Sequence, residues 1–161
     1  MTIKIFPNEI SKFNSELKVE EIHKILEEDH YNGSLTSTSY ITNKTFIGNV
    51  EKNYFELILS SPKTAMFCVF EGEITQKEFA EITLTKKFHN GFKWLFIFGY
   101  FALYIPILIF PNELSAKLQQ ILMYNVQILV IRYFVIKLLF RKSEQNGIEV
   151  LKNKLKLNEI N

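Results

Sequence analysis

One short segment carries the residues best suited to binding a metal ion. Glu20, His23, Glu27 and His30 follow one another at spacings of three and four residues. In a helix these spacings place side chains along one side, and pairs of Glu-x-x-His are typical of di-iron sites. Such sites draw their pairs from two facing helices, whereas here both pairs belong to one. We therefore interpret these weak metal candidates as a solvated charged flank, and predict no metal and no cofactor.

The single cysteine, Cys68, lies in the apolar run MFCVF. A thiol nucleophile needs a neighbouring base and a lowered pKa, and the nearest candidate base in the sequence is His89. We favour a buried structural cysteine over a nucleophile. The sequence contains no GxSxG, P-loop or GxGxxG motif, so it predicts a protein that is not an enzyme.

A third set of candidate residues interrupts an apolar run. Asn125, Gln127 and Arg132 lie within residues 121–140. Polar groups in hydrocarbon are costly and seek partners, so we expect these three to contact another helix or a partner protein. The alternative for Arg132 is a tilted helix that lets its side chain reach the lipid headgroups.

Two apolar runs dominate the second half of the chain. Residues 94–111 contain no charged side chain, and as a helix they would reach roughly 27 Å, close to the ~30 Å hydrocarbon core of a bilayer. The second run, 121–140, follows a short polar connection. These runs predict a transmembrane helical hairpin with helices at about 92–111 and 119–140, in which Pro106 is a tolerated kink.

The charges around the two runs predict how the chain is oriented. Basic residues flank the outer end of each predicted helix, and the charges of the connecting loop, Glu113 and Lys117, cancel. By the positive-inside rule both termini then face the cytoplasm, which gives two spans. No signal peptide opens the sequence, which agrees with a cytoplasmic N-terminal domain.

The residues before the apolar runs predict a small α+β domain over 1–88. Helical periodicity predicts one helix from Val19 to His30, and period-two alternation predicts a strand at 13–17. Alternation also predicts a four-stranded antiparallel meander that the helix covers. Its strands are 46–50, 55–59, 66–74 and 78–86. Segment 34–42 is either a loop or a weak edge strand.

The complete prediction is an α+β membrane protein in three parts. Residues 1–88 form the domain with the meander, 89–142 the hairpin, and 143–161 a short amphipathic helix on the membrane surface or against the domain. The chain has 161 residues and a net charge of only +2, without a run of basic residues. This composition argues against nucleic acid as a partner.

The order of these parts resembles a widespread group of small uncharacterised bacterial membrane proteins, in which a cytoplasmic meander precedes a two-helix hairpin. The resemblance rests on F-x-G-x-V-x4-F-x-L, followed by F-x-G-x-I. The residues concerned are Phe46, Gly48, Val50, Phe55, Leu57, Phe70, Gly72 and Ile74. It implies a location in the bacterial inner membrane. At 60–66 the sequence SSPKTAM differs from the Arg-rich, Pro-containing stretch of that group, so no role of that stretch is carried over.

The predicted function follows from this architecture. We expect a non-enzymatic integral membrane protein that acts as a binding, accessory or structural subunit, an immunity-type protein included. Its partners would be the lipid bilayer and another membrane or cytoplasmic protein, or a second copy of itself. The alternative is a subunit of an oligomeric transporter, with Arg132 facing an internal pathway, or of a membrane-associated enzyme.

Overall fold

The computed structural model describes residues 6–35, 42–60, 67–77, 79–109 and 113–160. In chain order the elements are β1 (Asn8–Ser15), α1 (Val19–Asp29), β2 (His30–Asn32), β3 (Phe46–Glu51), β4 (Tyr54–Leu59), β5 (Cys68–Gln76), β6 (Ala80–Phe88), α2 (Asn90–Ala102), α3 (Ile105–Ile109), α4 (Leu114–Val130), a π-helical turn (Ile131–Ile136), α5 (Lys137–Leu155) and β7 (Leu157–Glu159).

The strands form one mixed seven-stranded sheet in the order β2-β3-β4-β5-β6-β1-β7. β2 and β3 are parallel, and the other neighbours are antiparallel. β1 pairs with β6 over its full length, from Asn8 opposite Lys87 to Ser15 opposite Ala80. Phe13 of β1 also pairs with Glu159 of β7, so one sheet contains strands from both ends of the chain.

The core lies between one face of this sheet and two helices, α1 and α5. Along β6 the even-numbered residues from Ala80 to Phe88 are buried, and the odd-numbered residues from Glu81 to Lys87 are half-buried on the other face. α1 contributes a stripe that includes Ile22 and Leu26. Ser15 on β1 donates a hydrogen bond from Oγ to the carbonyl oxygen of Leu155 at 2.6 Å, which joins α5 to the sheet.

Two glycines on the strands allow close approach. Gly48 has φ of 150°, and a Cβ there would collide with the carbonyl oxygen of Glu56 on β4. A Cβ at Gly72 would occupy the position of the Phe55 ring on the neighbouring strand. Both positions therefore require glycine.

The predicted fold class is wrong, first, in the size of the sheet. The four strands of the predicted meander correspond to β3–β6, but β1, β2 and β7 extend both edges to seven strands. β1 pairs with β6 across about 70 positions of sequence, a contact that alternation within a strand does not encode. The predicted alternative of an edge strand within 34–42 falls mostly on residues 36–41, outside those described.

The predicted fold class is wrong, second, about the helices that cover the sheet, because it has one covering helix and only a short C-terminal helix. α5 is 19 residues long, continues from the π-helical turn and packs on the sheet as a second covering helix. Its buried side includes Ser143 and Gly147, which do not register as apolar in a periodicity analysis. Lys156 adopts a left-handed conformation with φ of 49°, which ends the helix and turns the chain into β7.

The fold class is wrong, third, in its two-helix transmembrane hairpin. The first apolar run forms two short helices, α2 and α3, separated at Leu103 and Tyr104. Pro106 lacks an amide proton, and in a continuous helix its ring would clash with the carbonyl group of Ala102, where α2 ends. In the described part of the chain one helix, Leu114–Leu155, is long and apolar enough to cross a membrane, by length and composition only. Two spans and the predicted orientation of the termini are therefore not supported.

Candidate functional site: the apolar lobe and the cleft at its base

The helices α2, α3 and α4 and the π-helical turn form an apolar lobe, which we define as residues 90–109 and 113–136. Neither α2 nor α4 has a buried residue. The large exposed apolar side chains of the lobe are Trp94, Leu95, Phe98, Phe101, Leu103, Ile105, Ile109, Leu114, Leu118, Leu122, Met123, Val126, Leu129, Val130, Ile131, Tyr133 and Phe134. A soluble monomer rarely exposes a contiguous apolar patch larger than a few hundred Å².

The exposed apolar residues of α4 are distributed around the helix. Leu129, Val130 and Ile131 are consecutive, and each is at least 43% exposed. Consecutive residues of a helix point about 100° apart, so these three side chains cover most of its circumference. A helix that is apolar on all sides is typical of a membrane or of a buried core, and α4 is not buried.

Polar contacts inside the lobe join α2 to α4. Tyr104 donates a hydrogen bond from Oη to Oη of Tyr100 at 3.0 Å, and Tyr100 donates to Oδ1 of Asn125 at 3.3 Å. Asn125 in turn donates from Nδ2 to the carbonyl oxygen of Ile121 at 2.8 Å. Of the three residues predicted to make helix contacts, Asn125 therefore bonds across to α2, whereas Gln127 is exposed on α4.

The third predicted contact residue, Arg132, lines a cleft of about 570 Å³ at the base of the lobe. This basic cleft lies between the start of β1, which includes Glu9, with the two residues before it, and the helix from the end of α4 to the start of α5. Lys137 and Arg141 line it together with Arg132. The Lys137 ammonium lies 4.9 Å from the ring centroid of Tyr133, which also lines the cleft.

The π-helical turn places these basic residues in the same cleft. In a regular α-helix Arg132 and Lys137, five residues apart, would point about 140° away from each other. A π-helix bonds each residue to its fifth neighbour, which brings the two side chains toward one side. Lys137 and Arg141 are four residues apart in α5 and share a side in any case.

On the helix-facing side of the sheet, Lys86 lies close to the cleft residue Glu9. Lys86 Nζ is 2.6 Å from Glu144 Oε1 on α5 and 3.3 Å from Glu9 Oε2 on β1. Burial lowers the pKa of Lys86, but the hydrogen bonds and charges of the two carboxylates outweigh it, so the pKa is raised. The ion pairs tie β6 to both β1 and α5.

A second charged cluster occupies the opposite face of the sheet. Glu56 and Glu71 are directly opposite each other on β4 and β5, and Lys87 forms an ion pair with both, at 3.3 Å from Glu56. Burial, together with the charges of Glu71 and Glu56, raises the pKa of Tyr54 to about 12. The pKa of Lys87 is also raised, because its bonds to Glu71 and Glu56 outweigh burial. The ion pairs of Lys87 therefore stabilise the pairing of these strands. Because the pKa values of Tyr54 and Lys87 are both raised, neither side chain exchanges its proton near neutral pH, as a general acid or base would have to.

The four weak metal candidates, three on α1 and His30 at the start of β2, do not converge on one site. His23 Nδ1 lies 3.7 Å from Glu27 Oε2, and Glu20 is exposed. His30 Nδ1 is 3.0 Å from the carbonyl oxygen of Leu26, so it faces the backbone. Within the described ranges, no group of three or more His, Cys, Asp or Glu side chains could hold a metal ion.

Cys68 is fully buried on β5, and burial raises the pKa of its thiol. His89, the base nearest in sequence, accepts a hydrogen bond at Nδ1 from the amide of Gly91 and therefore carries its proton on Nε2. That proton is donated to the carbonyl oxygen of Leu35 at 3.2 Å. Both ring nitrogens of His89 are thus paired away from Cys68, which leaves the thiol without the activation that a nucleophile requires.

Comparison of the chain with protein-family models, curated proteins and solved structures finds no match, so no family is assigned. The resemblance drawn from the sequence stays a prediction. The basic cleft was missed by sequence reasoning, in which Arg132 was a lone intramembrane charge and Arg141 a flanking residue. The i,i+4 spacing of Lys137 and Arg141 could have predicted that these two side chains lie together. No sequence pattern predicts the π-helical turn that brings Arg132 to the same side.

Proposed function

We propose that this protein inserts its apolar lobe into a lipid membrane and acts there as a non-enzymatic binding or accessory subunit. The observation that carries the proposal is the exposed apolar surface of the lobe beside a well-packed sheet domain. Burying apolar surface stabilises a protein by about 25 cal/mol per Å², so leaving this surface in water would be strongly unfavourable. Lipid covers such a surface on the sides of α4 that do not face α2.

Pairing of β1 with β7 constrains how the lobe enters the membrane. The strands that precede and follow the lobe belong to one sheet, so both ends of the lobe lie on the same side of the membrane. The lobe therefore enters from the sheet side and returns to it. α4 alone extends roughly 26 Å, so its far end lies deep within the ~30 Å hydrocarbon core when the π-helical turn lies at the surface.

Charge supports a cytoplasmic location for the sheet domain, and the resemblance drawn from the sequence makes a bacterial inner membrane the proposed membrane. Lys93, Arg141 and Lys142 lie at the sheet-side ends of the lobe, whereas Glu113 and Lys117 cancel at its far end. Lys and Arg are enriched on the cytoplasmic side of membrane segments.

The face of the sheet opposite α1 and α5 is the surface we assign to a protein partner. It carries Tyr54 and the ion pairs of Lys87. Beside them lies a small buried apolar cluster of Ile47, Ile58 and Val69, which Leu35 partly covers. Thr83 and Thr85 of β6 lie on the same face, half-buried. The part around Thr83 is polar and built on paired strands, which suits a reversible protein contact.

Photo-crosslinking in native membranes tests the accessory role. A photoreactive residue at Thr83 should capture one protein in stoichiometric yield, because this position faces the proposed partner. The same residue at Asn146, exposed on α5, serves as the control and should capture little. Equal capture at both positions, or recovery of the uncrosslinked protein alone, would contradict the proposal.

A further inference from the structure

We propose that the basic cleft binds the phosphate group of an anionic phospholipid. The inference rests on the proposed membrane insertion and adds to it a specific lipid site. The volume of the cleft, about 570 Å³, lies in the usual range for small-molecule sites of ~300–1,000 Å³. The occupant is identified by the charge of the cleft and by its position at the border of the lobe.

The charge of the cleft favours an anion. Arg132, Lys137 and Arg141 line it, against the single carboxylate of Glu9. Glu9 already has a cationic partner, since Lys86 Nζ lies 3.3 Å from it. Guanidinium groups bind phosphate oxygens through paired hydrogen bonds, and an ammonium group adds a compact positive charge.

The position of the cleft favours a lipid over a soluble anion. Leu122, Val126, Leu129 and Tyr133 follow one another at spacings of four, three and four residues and are all exposed. They form an apolar stripe along α4 whose last two members line the cleft. An acyl chain laid along this stripe brings its phosphate to the basic residues, whereas a soluble anion uses none of the apolar surface.

The ends of the lobe place the cleft at headgroup depth. Tyr133 and Lys137 stand where the exposed helix meets the sheet domain, and Trp94 lies one turn from the start of α2. Tyr, Trp and long basic side chains concentrate at the membrane–water interface. Basic pockets at this level are known to suit anionic headgroups.

Native mass spectrometry of the full chain in mild detergent tests the proposal. The protein is titrated with phosphatidylglycerol or with phosphatidylcholine, and the retained lipids are counted. Wild type should bind one phosphatidylglycerol roughly tenfold or more tightly than phosphatidylcholine. The double variant Lys137→Gln/Arg141→Gln should lose that preference, while its exposed positions keep the fold intact.

The matched control is Lys142→Gln/Lys52→Gln, which removes the same charge from exposed residues that do not line the cleft. Its preference should change less than about twofold. An equal loss in this control, an absent preference in wild type, or displacement of phosphatidylglycerol by inorganic phosphate would each overturn the lipid site.

Co-sedimentation with phosphatidylcholine vesicles separates this proposal from the membrane insertion on which it rests. All variants should sediment, because the apolar lobe is unchanged. If wild type sediments but shows no preference for phosphatidylglycerol in native mass spectrometry, only the proposed lipid site is wrong. If wild type fails to sediment, the proposed insertion itself is wrong.

Discussion

Lys86 is a lysine on the helix-facing side of β6 with only 5% of its surface exposed. Its raised pKa means that the folded state holds the proton more tightly than the unfolded chain, in which the pKa is about 10.4. The resulting stabilisation is complete below this value and is lost as the pH rises through the folded-state pKa. The side chain thus stabilises the contact of β6 with α5 at every physiological pH.

The substitution Glu144→Gln should lower the free energy of unfolding by about 3 kcal/mol, because it leaves a buried ammonium group with the exposed Glu9 as its remaining partner. Denaturant unfolding in detergent micelles measures this loss. Glu149→Gln, exposed on the same helix, should change stability by less than about 0.5 kcal/mol. The decline of stability above about pH 10.4 should also be smaller in Glu144→Gln than in wild type. Identical unfolding of the two variants would contradict the buried ion pair.

Two helical glycines form a second test at the scale of residues. A Cβ at Gly147 would overlap the ring of Phe70, so Gly147→Ala should destabilise the protein by about 1–3 kcal/mol through overpacking. Gly99 of α2 has open space around it, and Gly99→Ala should be neutral or stabilise by up to about 1 kcal/mol. Denaturant midpoints of the two variants should therefore move in opposite directions or differ clearly. A stabilising Gly147→Ala would show that α5 does not pack on β5 at this distance.

At the scale of elements, Pro106 separates α2 from α3. The substitution Pro106→Ala removes a residue that costs about 3 kcal/mol within a helix, so α2 should extend through Leu103 and Tyr104 into α3. Leu103 already has helical backbone angles, whereas the amide of Tyr104 bonds to the carbonyl oxygen of Phe101, three residues back. Backbone chemical shifts at Tyr104, measured in micelles, should therefore move to α-helical values. Pro7→Ala, ahead of β1, is the control and should leave them unchanged. Non-helical shifts in Pro106→Ala would assign the break to another cause.

His89 caps the N-terminus of α2 in its neutral form. Burial lowers the pKa of His89 below its ordinary value, and its Nδ1 accepts the amide proton of Gly91. Because the folded-state pKa is depressed, the stabilisation is complete above the unfolded value of about 6.5 and is lost as the pH falls through the folded-state pKa. The imidazolium form cannot accept this hydrogen bond.

As the pH is lowered below about 6.5, the thermal midpoint of wild type should accordingly fall more than the midpoint of His89→Asn. Asparagine caps a helix without titrating, and His23 and His30 are common to both chains, so their contribution cancels. Parallel midpoint curves would show that His89 is not the titrating cap.

Elements with a local repeat were predictable from the sequence. The apolar stripe of α1 gave its start at Val19, and alternation gave strands close to β3, β4, β5 and β6. The alternation at 13–17 predicted a strand that overlaps β1 only at residues 13–15, because β1 begins at Asn8 and ends at Ser15. β7 depends on pairing between distant parts of the chain, with Glu159 opposite Phe13. The π-helical turn at Ile131–Ile136 has no signal in the sequence, so the basic cleft that it forms could not be predicted. Asn125 and Arg132 could be singled out because they are polar residues in an apolar run.

At the scale of the whole molecule, the chain divides into a sheet domain with a buried core and a lobe most of whose large apolar residues are exposed. The basic cleft lies at their junction. Among the described residues, one helix is long and apolar enough to cross a membrane, where the sequence predicted two spans. It follows two short helices that Pro106 separates. Insertion of this lobe into lipid is the central claim, and the other functional proposals depend on it.

Fluorescence of Trp94 tests that claim most directly. Trp94 is the only tryptophan of the chain and is 59% exposed on the lobe. In reconstituted vesicles its emission should shift to the blue and be quenched by lipids brominated near the headgroup end of the acyl chain. The control, Trp94→Phe/Asn14→Trp, reports from the exposed β1 position and should be quenched by aqueous iodide instead. Quenching of Trp94 by iodide and not by brominated lipid would contradict membrane insertion of the lobe.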